Sequence, residues 1–551
     1  MKKALILGFD GFDLELVRAF GPERMPTIHR LMDEGAFAAL KSELPPATLP
    51  NWSSFLTGLD PARHGVFDFT TRQGYRVHFS GGTVREAPTI FSRLDALGLR
   101  TACLGFPGTY PPEPLRNGLF MSGWDAPVAF EADRSFVHPP SLHDELKARF
   151  GSIRFDDVDE FHADRDGFHA ELGDALVRRI ERKVALSLYL LERRELDVFA
   201  VYFGESDTAS HHLYSLYDAK SPRNPGWTND GLERVYQALD RAVAVLLGAL
   251  PDAELTIVSD HGSGGSSDRV VYLNRILEEA GFLEFKRSAE GASVIVKRMK
   301  DLALRALPPR LRERIFRFGD ALLPSWLESQ ARFGAIDFTR TRAFSDELNY
   351  FPAIHLNLAG REPRGIIPPE QREATIRAIE AALLALRDPD NGQPIIKRVY
   401  RREELFDGPY LGRAPDLLLD LHLREGYSYN VMPSTLDRRI PWIARIPREE
   451  YLGRKGRSMP GSHRNHGFFL ACGPSIAPVG QCEATITDAT ATLLARLGIR
   501  NLPDAKGRVL FEIFDELVDA DRELPEAPAM PRREGNSSFL ERRLRALGYV
   551  D

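Results

Sequence analysis

Residues 197–212 read DVFAVYFGESDTASHH. An unbroken apolar run from Val198 to Phe203 passes directly into an acidic, histidine-bearing stretch. A short β-branched and aromatic run without polar alternation suits a strand buried on both faces. Past Gly204 the residues suit a helix, which places Asp207 and His211, four residues apart, on one face. His212 is the competing imidazole, but it would point about 100° away. The same arrangement recurs twice. ALILGF (4–9) runs into Asp10, and LTIVS (255–259) runs into Asp260 and His261. Open α/β sheets gather such strand ends on one edge, where their sites lie.

Working outward, LVRAFGPERMPTIHRLMDEG is helical with an interruption at Pro26, and FAALKSEL is a strand. SSFLTGLDP is a helix stopped by Gly58, TIFSRLDALG a helix, and RTACLGFPG a strand. ALVRRIERKVALSLYLLERRE and LERVYQALDRAVAVLLGAL carry apolar residues at helical spacing. Strands alternating with helices predict an α/β fold with a doubly wound, mostly parallel central sheet. The pattern changes after about residue 266. A basic helical segment over 297–328 gives way to a mixed α/β stretch, and the core pattern returns with HGFFLACGP and ATITDATATLLARLG. The expected organisation is a catalytic core over 1–265 plus 431–520 and an inserted α+β cap over 266–430. A linker and a short C-terminal helix are expected over 521–551.

Composition narrows the class. An apolar share of 43% and a charged share of 27% fit a soluble globular protein. A net charge of -6 over 551 residues gives no electrostatic reason for a nucleic-acid partner. Cys103, Cys472 and Cys482 form neither a disulfide framework nor a metal-like spacing, which fits a reducing compartment. The apolar run after Lys2 and Lys3 is cut short by Asp10, so it reads as a strand rather than a secretory h-region. No stretch approaches the roughly 18–20 apolar residues of a membrane span. The expected location is cytoplasmic, without membrane contact.

The chemistry-bearing residues are Asp10, Asp207 with His211, Asp260 with His261, and His463 in the Gly-flanked loop GSHRNHG, where His466 is the alternative. Each has a plain competing reading: an Asp-Gly turn, a polar helix start, a satisfied core histidine, simple turn chemistry. Together they make a mixed carboxylate and imidazole set, which suits zinc, manganese or iron better than calcium. Thr48, in PPATLPNWSSFLTG, is a candidate nucleophile that metal coordination would activate. Its competing reading is a helix N-cap. Asn51 is placed to donate its amide to a phosphoryl oxygen. No Cys or Ser followed by Pro and Arg stands here, which departs from the sulfatase nucleophile motif.

The ordered set DGFD, PPATLPNWSSFLTGLDPARHGV, ESDTASHH, SDHG and GSHRNHG resembles the alkaline phosphatase superfamily, in its type I phosphodiesterase/nucleotide pyrophosphatase branch. GFPGTYPPEP (105–114) and LNLAGREP (356–363) are similar to segments of a prokaryotic group within it. The resemblance runs from Met1 to about residue 510. It implies two divalent metal ions, zinc first and manganese or iron next. One would be held by Asp10, Thr48, Asp260 and His261, the other by Asp207, His211 and His463. It implies Thr48 as nucleophile through a phospho-threonine, Asn51 as oxyanion donor, and His64 as structural support. Tyr214 stands where related sequences often have Trp.

The expected activity is hydrolysis of a small phosphate ester or nucleotide-like substrate. Arg361 and Arg364 are candidates to hold a distal anionic group. A phosphomutase or phosphotransferase is the first alternative and needs a second, Arg-rich phosphate pocket. An inactive membrane-surface or scaffold protein is the second. Its basis is the stripe Leu311, Ile315, Phe318, Leu322 and Trp326 beside Arg310, Arg312, Arg314 and Arg317. The competing reading of that stripe is a cap helix packed on the core.

Overall fold

The computed structural model describes residues 3–525 except 80–83, 124–133, 152, 154, 156–157, 159–162, 164, 287–331, 348–351, 435–438, 454–457 and 517–519. The apolar stripe from Leu311 to Trp326 and the expected C-terminal helix therefore lie outside the described residues.

Among the described residues nine strands make the central sheet, in the order Gly480–Gln481, Ala36–Lys41, His466–Cys472, Glu254–Val258, Ala4–Phe9, Val198–Phe203, Thr101–Leu104, Leu119–Met121 and Val137–His138. The five from Glu254–Val258 to Leu119–Met121 run parallel to one another. His466–Cys472 is antiparallel to both of its neighbours. The middle strands Ala4–Phe9, Val198–Phe203 and Glu254–Val258 are buried at every position. That is why they read as continuous apolar runs, since both faces are covered. The helices Pro26–Glu34, Phe168–Arg193, Glu205–Tyr217 and Gly231–Ala249 pack together as one group. Thr48–Thr57, Pro61–His64, Ile90–Ala96 and Ile486–Arg496 form a second.

Register sets the site. Phe9 pairs with Phe203, and Gly8 with Val258. The three central strands therefore end at one level, and Asp10, the helix bearing Asp207, and Asp260 with His261 all leave the sheet from the same edge. The interruption expected at Pro26 falls between two helices. Gly21, at φ 73°, ends Leu14–Phe20, and Pro26 opens Pro26–Glu34. Pro is tolerated there because the first helical N–H has no intrahelical partner.

The ten-residue strand Gly262–Val271 continues directly from the sheet edge into the stretch where the sequence places a cap. It pairs with Gly461–Arg464 at one end and with Ser428–Val431 and Ile443–Arg445 at the other. A separate antiparallel sheet carries Ala343–Phe344, Ala353–Leu356, Leu417–Leu421 and Ile396–Arg401. This region has its own apolar cluster, which includes Leu273, Phe344, Ile354 and Leu417, takes in Val77 from the hairpin Thr70–Gln73/Arg76–Phe79, and reaches Ile443. The expected boundaries at 266 and 430 thus fall inside strands. Gly and Ser carry little strand preference of their own, and tertiary pairing decides here.

Candidate metal centre and nucleophile

Two triads stand at the sheet edge. Asp10, Asp260 and His261 form one, and Asp207, His211 and His463 the other. Asp207 and His211 share a face of Glu205–Tyr217, as their spacing predicts. His463 arrives on Gly461–Arg464, directly opposite Ser263. The stacked rings of His261 and His463, with centroids 3.7 Å apart, bring the triads side by side.

Hydrogen bonding fixes which nitrogen of each imidazole faces the site. Nδ1 of His211 lies 3.2 Å from the Gly461 carbonyl, Nδ1 of His261 lies 3.0 Å from the Gly262 carbonyl, and Nδ1 of His463 lies 2.8 Å from the Pro46 carbonyl. A carbonyl only accepts, so Nδ1 carries the proton in all three and Nε2 presents a lone pair. Nε2 of His211 and Nε2 of His463 are nevertheless 3.0 Å apart. Two lone pairs at that distance suit a shared cation.

The remaining distances agree. Asp207 Oδ1 lies 3.3 Å from His211 Nε2 and 3.6 Å from His463 Nε2. His261 Nε2 lies 3.4 Å from Asp10 Oδ1 and 3.3 Å from Asp260 Oδ2. Ligand atoms about 2.0–2.1 Å from a tetrahedral ion must stand about 3.3–3.4 Å from one another. The buried Oδ2 of Asp260 accepts no hydrogen bond among the described residues. Each triad could hold a metal ion.

Electrostatics point the same way. Burial, then the carboxylates of Asp10 and Asp207, hold the Asp260 carboxyl well above its usual range. Burial pushes the His261 imidazole down to about 3. Burial, then the neighbouring His261 and His211, holds His463 well below its ordinary value. Crowded carboxylates and neutral imidazoles both favour a bound cation. Four buried serines brace the backbone around the ligands. Ser206 donates to the Asp10 carbonyl, Ser42 to that of Asp260, Ser259 to that of His261 and Ser263 to that of Gly11, at 2.6–2.7 Å.

Thr48 opens the helix Thr48–Thr57, half-buried, with its Oγ1 3.5 Å from His261 Nε2. The N-cap position belongs to Ala47, so the plain capping reading of Thr48 does not hold. Asn51 differs from expectation. Its Nδ2 donates to the carbonyls of Glu43, Pro45 and Ala47, and its Oδ1 accepts from the Glu43 N–H. The amide is saturated by the loop that leads into Thr48, so Asn51 braces that loop and has no donor left for a phosphoryl oxygen. His64 is fully buried, between the Ser54 hydroxyl and the Val66 N–H. His212 packs on Phe168, away from both triads, and His466 is exposed at the start of its strand.

A cavity of 660 Å³ opens beside His211 and His463, with Leu421 and Met432 on its wall. Neither Arg361 nor Arg364 lines it. Arg361 is spent on a bidentate pair with buried Asp416, at 2.8 and 2.7 Å. The distal-anion role expected for it is therefore not available. Sequence reading also passed over Trp52 and Tyr202, whose polar tips both reach Asp10.

The sheet with its edge-mounted site is an alkaline phosphatase-like α/β fold. The family model for type I phosphodiesterase / nucleotide pyrophosphatase matches residues 4–467, and the chain belongs to that family, whose reaction is hydrolysis of phosphoric esters. Among solved structures it is similar to human ectonucleotide pyrophosphatase/phosphodiesterase 5, at 15% identity and TM-score 0.48, over 94% of this chain and 100% of that one. It is similar to the murine protein of the same name at 15% identity and TM-score 0.46, over 93% and 100%. An inactive form of that murine protein in complex with AMP matches at 14% identity and TM-score 0.46, over 93% and 100%. Comparison with curated proteins gives no match. Among the described residues no helix is long and apolar enough to cross a membrane.

Proposed function

We propose that this chain is a metal-dependent phosphoric ester hydrolase that works through a phospho-threonine at Thr48. The observation that carries the reading is the placement of the Thr48 hydroxyl 3.5 Å from His261 Nε2, beside two triads that could hold cations. Asp10, Asp260 and His261, with Thr48, would hold one ion, and Asp207, His211 and His463 the other. Such a pair supplies Lewis acidity to the attacking and leaving oxygens of an in-line displacement.

The chain's own residues do the rest. Thr48 Oγ1 attacks phosphorus and gives its proton to solvent, the bond from phosphorus to the opposite oxygen breaks, and the alcohol or phosphate leaving group departs with a proton taken from solvent. Water then cleaves the phospho-threonine and restores the hydroxyl. The open N-terminal end of Thr48–Thr57 favours the negative charge that builds beside it. Low-pKa imidazoles stay neutral and available for metal near neutral pH. The 660 Å³ cavity is far larger than a phosphate group and favours an ester with a bulky leaving group lying against the cap wall. A diester or pyrophosphate of that shape is the proposed substrate class.

The test is a turnover panel of aryl monoesters, diesters and phosphonates with zinc, with manganese and with no added metal. The reading expects metal-dependent release, with diesters ahead of monoesters. No turnover of any ester with either metal would contradict it.

A further inference from the structure

Asp10 uses its two carboxylate oxygens differently. Oδ2 accepts from the Trp52 indole at 2.9 Å and from the Tyr202 hydroxyl at 2.6 Å. Oδ1 stands 3.4 Å from His261 Nε2, on the side of the triad. An indole N–H can only donate, and a phenol near neutral pH carries its proton, so both partners are donors to the carboxylate oxygen. We infer that Trp52 and Tyr202 make Asp10 a one-oxygen ligand and so set the affinity of the Asp10–Asp260–His261 site for its ion. This rests on the metal-dependent reading above.

The packing makes the clamp rigid. Trp52 is fully buried and Tyr202 is 4% exposed. The Trp52 ring meets Tyr202 edge-on at 5.5 Å and Phe106 edge-on at 5.2 Å. A Cβ at Gly8 would come within 2.9 Å of the Trp52 ring and 2.7 Å of the Phe106 ring. Only the bare backbone of Gly8, in the middle of the sheet, lets the indole reach over to Asp10. Swinging either donor away would mean repacking this aromatic group.

The clamp also joins two parts of the site. Trp52 lies four residues after Thr48 on Thr48–Thr57, and Tyr202 lies on the strand that leads to Asp207. The Asp10 carboxylate is therefore pinned both by the nucleophile's own helix and by the strand feeding the second triad. Trp52 and Tyr202 touch no substrate in this scheme. They are positioning residues acting through Asp10.

The experiment uses the full chain, stripped of metal and titrated with zinc against a chromogenic chelator. Tyr202→Phe and Trp52→Phe each remove one donor and keep an aromatic ring. Loss of a hydrogen bond that orients a ligand weakens metal affinity by about 10–100-fold. The expected result is that weakening at one of two zinc equivalents, with the other unchanged. Turnover should fall at limiting zinc and recover most of its value in excess zinc, which a general packing defect would not allow. Should Trp52→Phe fail to fold, Tyr202→Phe decides alone. If wild type binds two zinc ions and Tyr202→Phe titrates within twofold of it at both, the clamp is overturned. If wild type binds no zinc, the metal-dependent reading fails and the clamp falls with it.

Discussion

The Nε2 atoms of His211 and His463 face each other across 3.0 Å while the Nδ1 of each is held by a backbone carbonyl. Neither nitrogen has a proton to offer the other, so an ion between them relieves the contact. Metal should therefore stabilise the fold. Each ion at 100-fold above its Kd contributes about 2.7 kcal/mol. Thermal unfolding with and without zinc measures this, and an unchanged midpoint would count against both triads.

Asp207→Asn should lower the bound metal from two equivalents to one, because a neutral amide holds a divalent cation poorly. The site at Asp10, Asp260 and His261 keeps its ion. Metal affinity should also rise with pH. Asp260 holds its proton well above the usual carboxylate range, so binding an ion there releases a proton. Proton release in weakly buffered zinc titrations checks the sign.

His64 is a test of linkage away from the ligands. Burial, with help from Arg85, pushes its imidazole down to about 3 from an ordinary 6.5. A depressed histidine pKa gives stability that is complete above the unfolded value and is lost as pH falls from 6.5 toward 3. Between pH 7 and pH 5 this one group costs about 2 kcal/mol. His64→Gln should flatten the dependence of unfolding free energy on pH by about that amount over the same range, whatever it does to stability at pH 7.

Lys183 and Glu205 form an ion pair at 2.8 Å with both side chains fully buried, at the first turn of the helix that carries Asp207 and His211. Lys183→Met alone leaves a buried charge behind and should cost about 3–5 kcal/mol. Adding Glu205→Leu should recover most of that. Denaturant unfolding of the single and double variants separates the two outcomes.

Much of this was open to reading in the chain itself. ALILGF, FAVYF and LTIVS announce fully buried strands because both of their faces are covered, and the ligands follow each strand end in sequence. What escaped depends on long-range pairing. GSGGSSDRVV carries almost no strand preference, yet Gly262–Val271 is the longest strand described, held by three partners. Asn51 and Arg361 carry donors that the sequence assigns to substrate but the fold spends on a loop and on Asp416. Trp52 and Tyr202 look like core aromatics, and only their polar tips reveal the link to Asp10. The one sequence signal for Trp52 was its spacing of four residues from Thr48.

The most direct measurement is turnover by Thr48→Ala at a metal content matched to wild type. Loss of a covalent nucleophile should lower kcat by about 10³-fold or more while both ions stay bound and the fold is intact. If the metal-loaded variant keeps tens of per cent of wild-type turnover, water attacks phosphorus directly, Thr48 is only a ligand, and the phospho-threonine route is wrong.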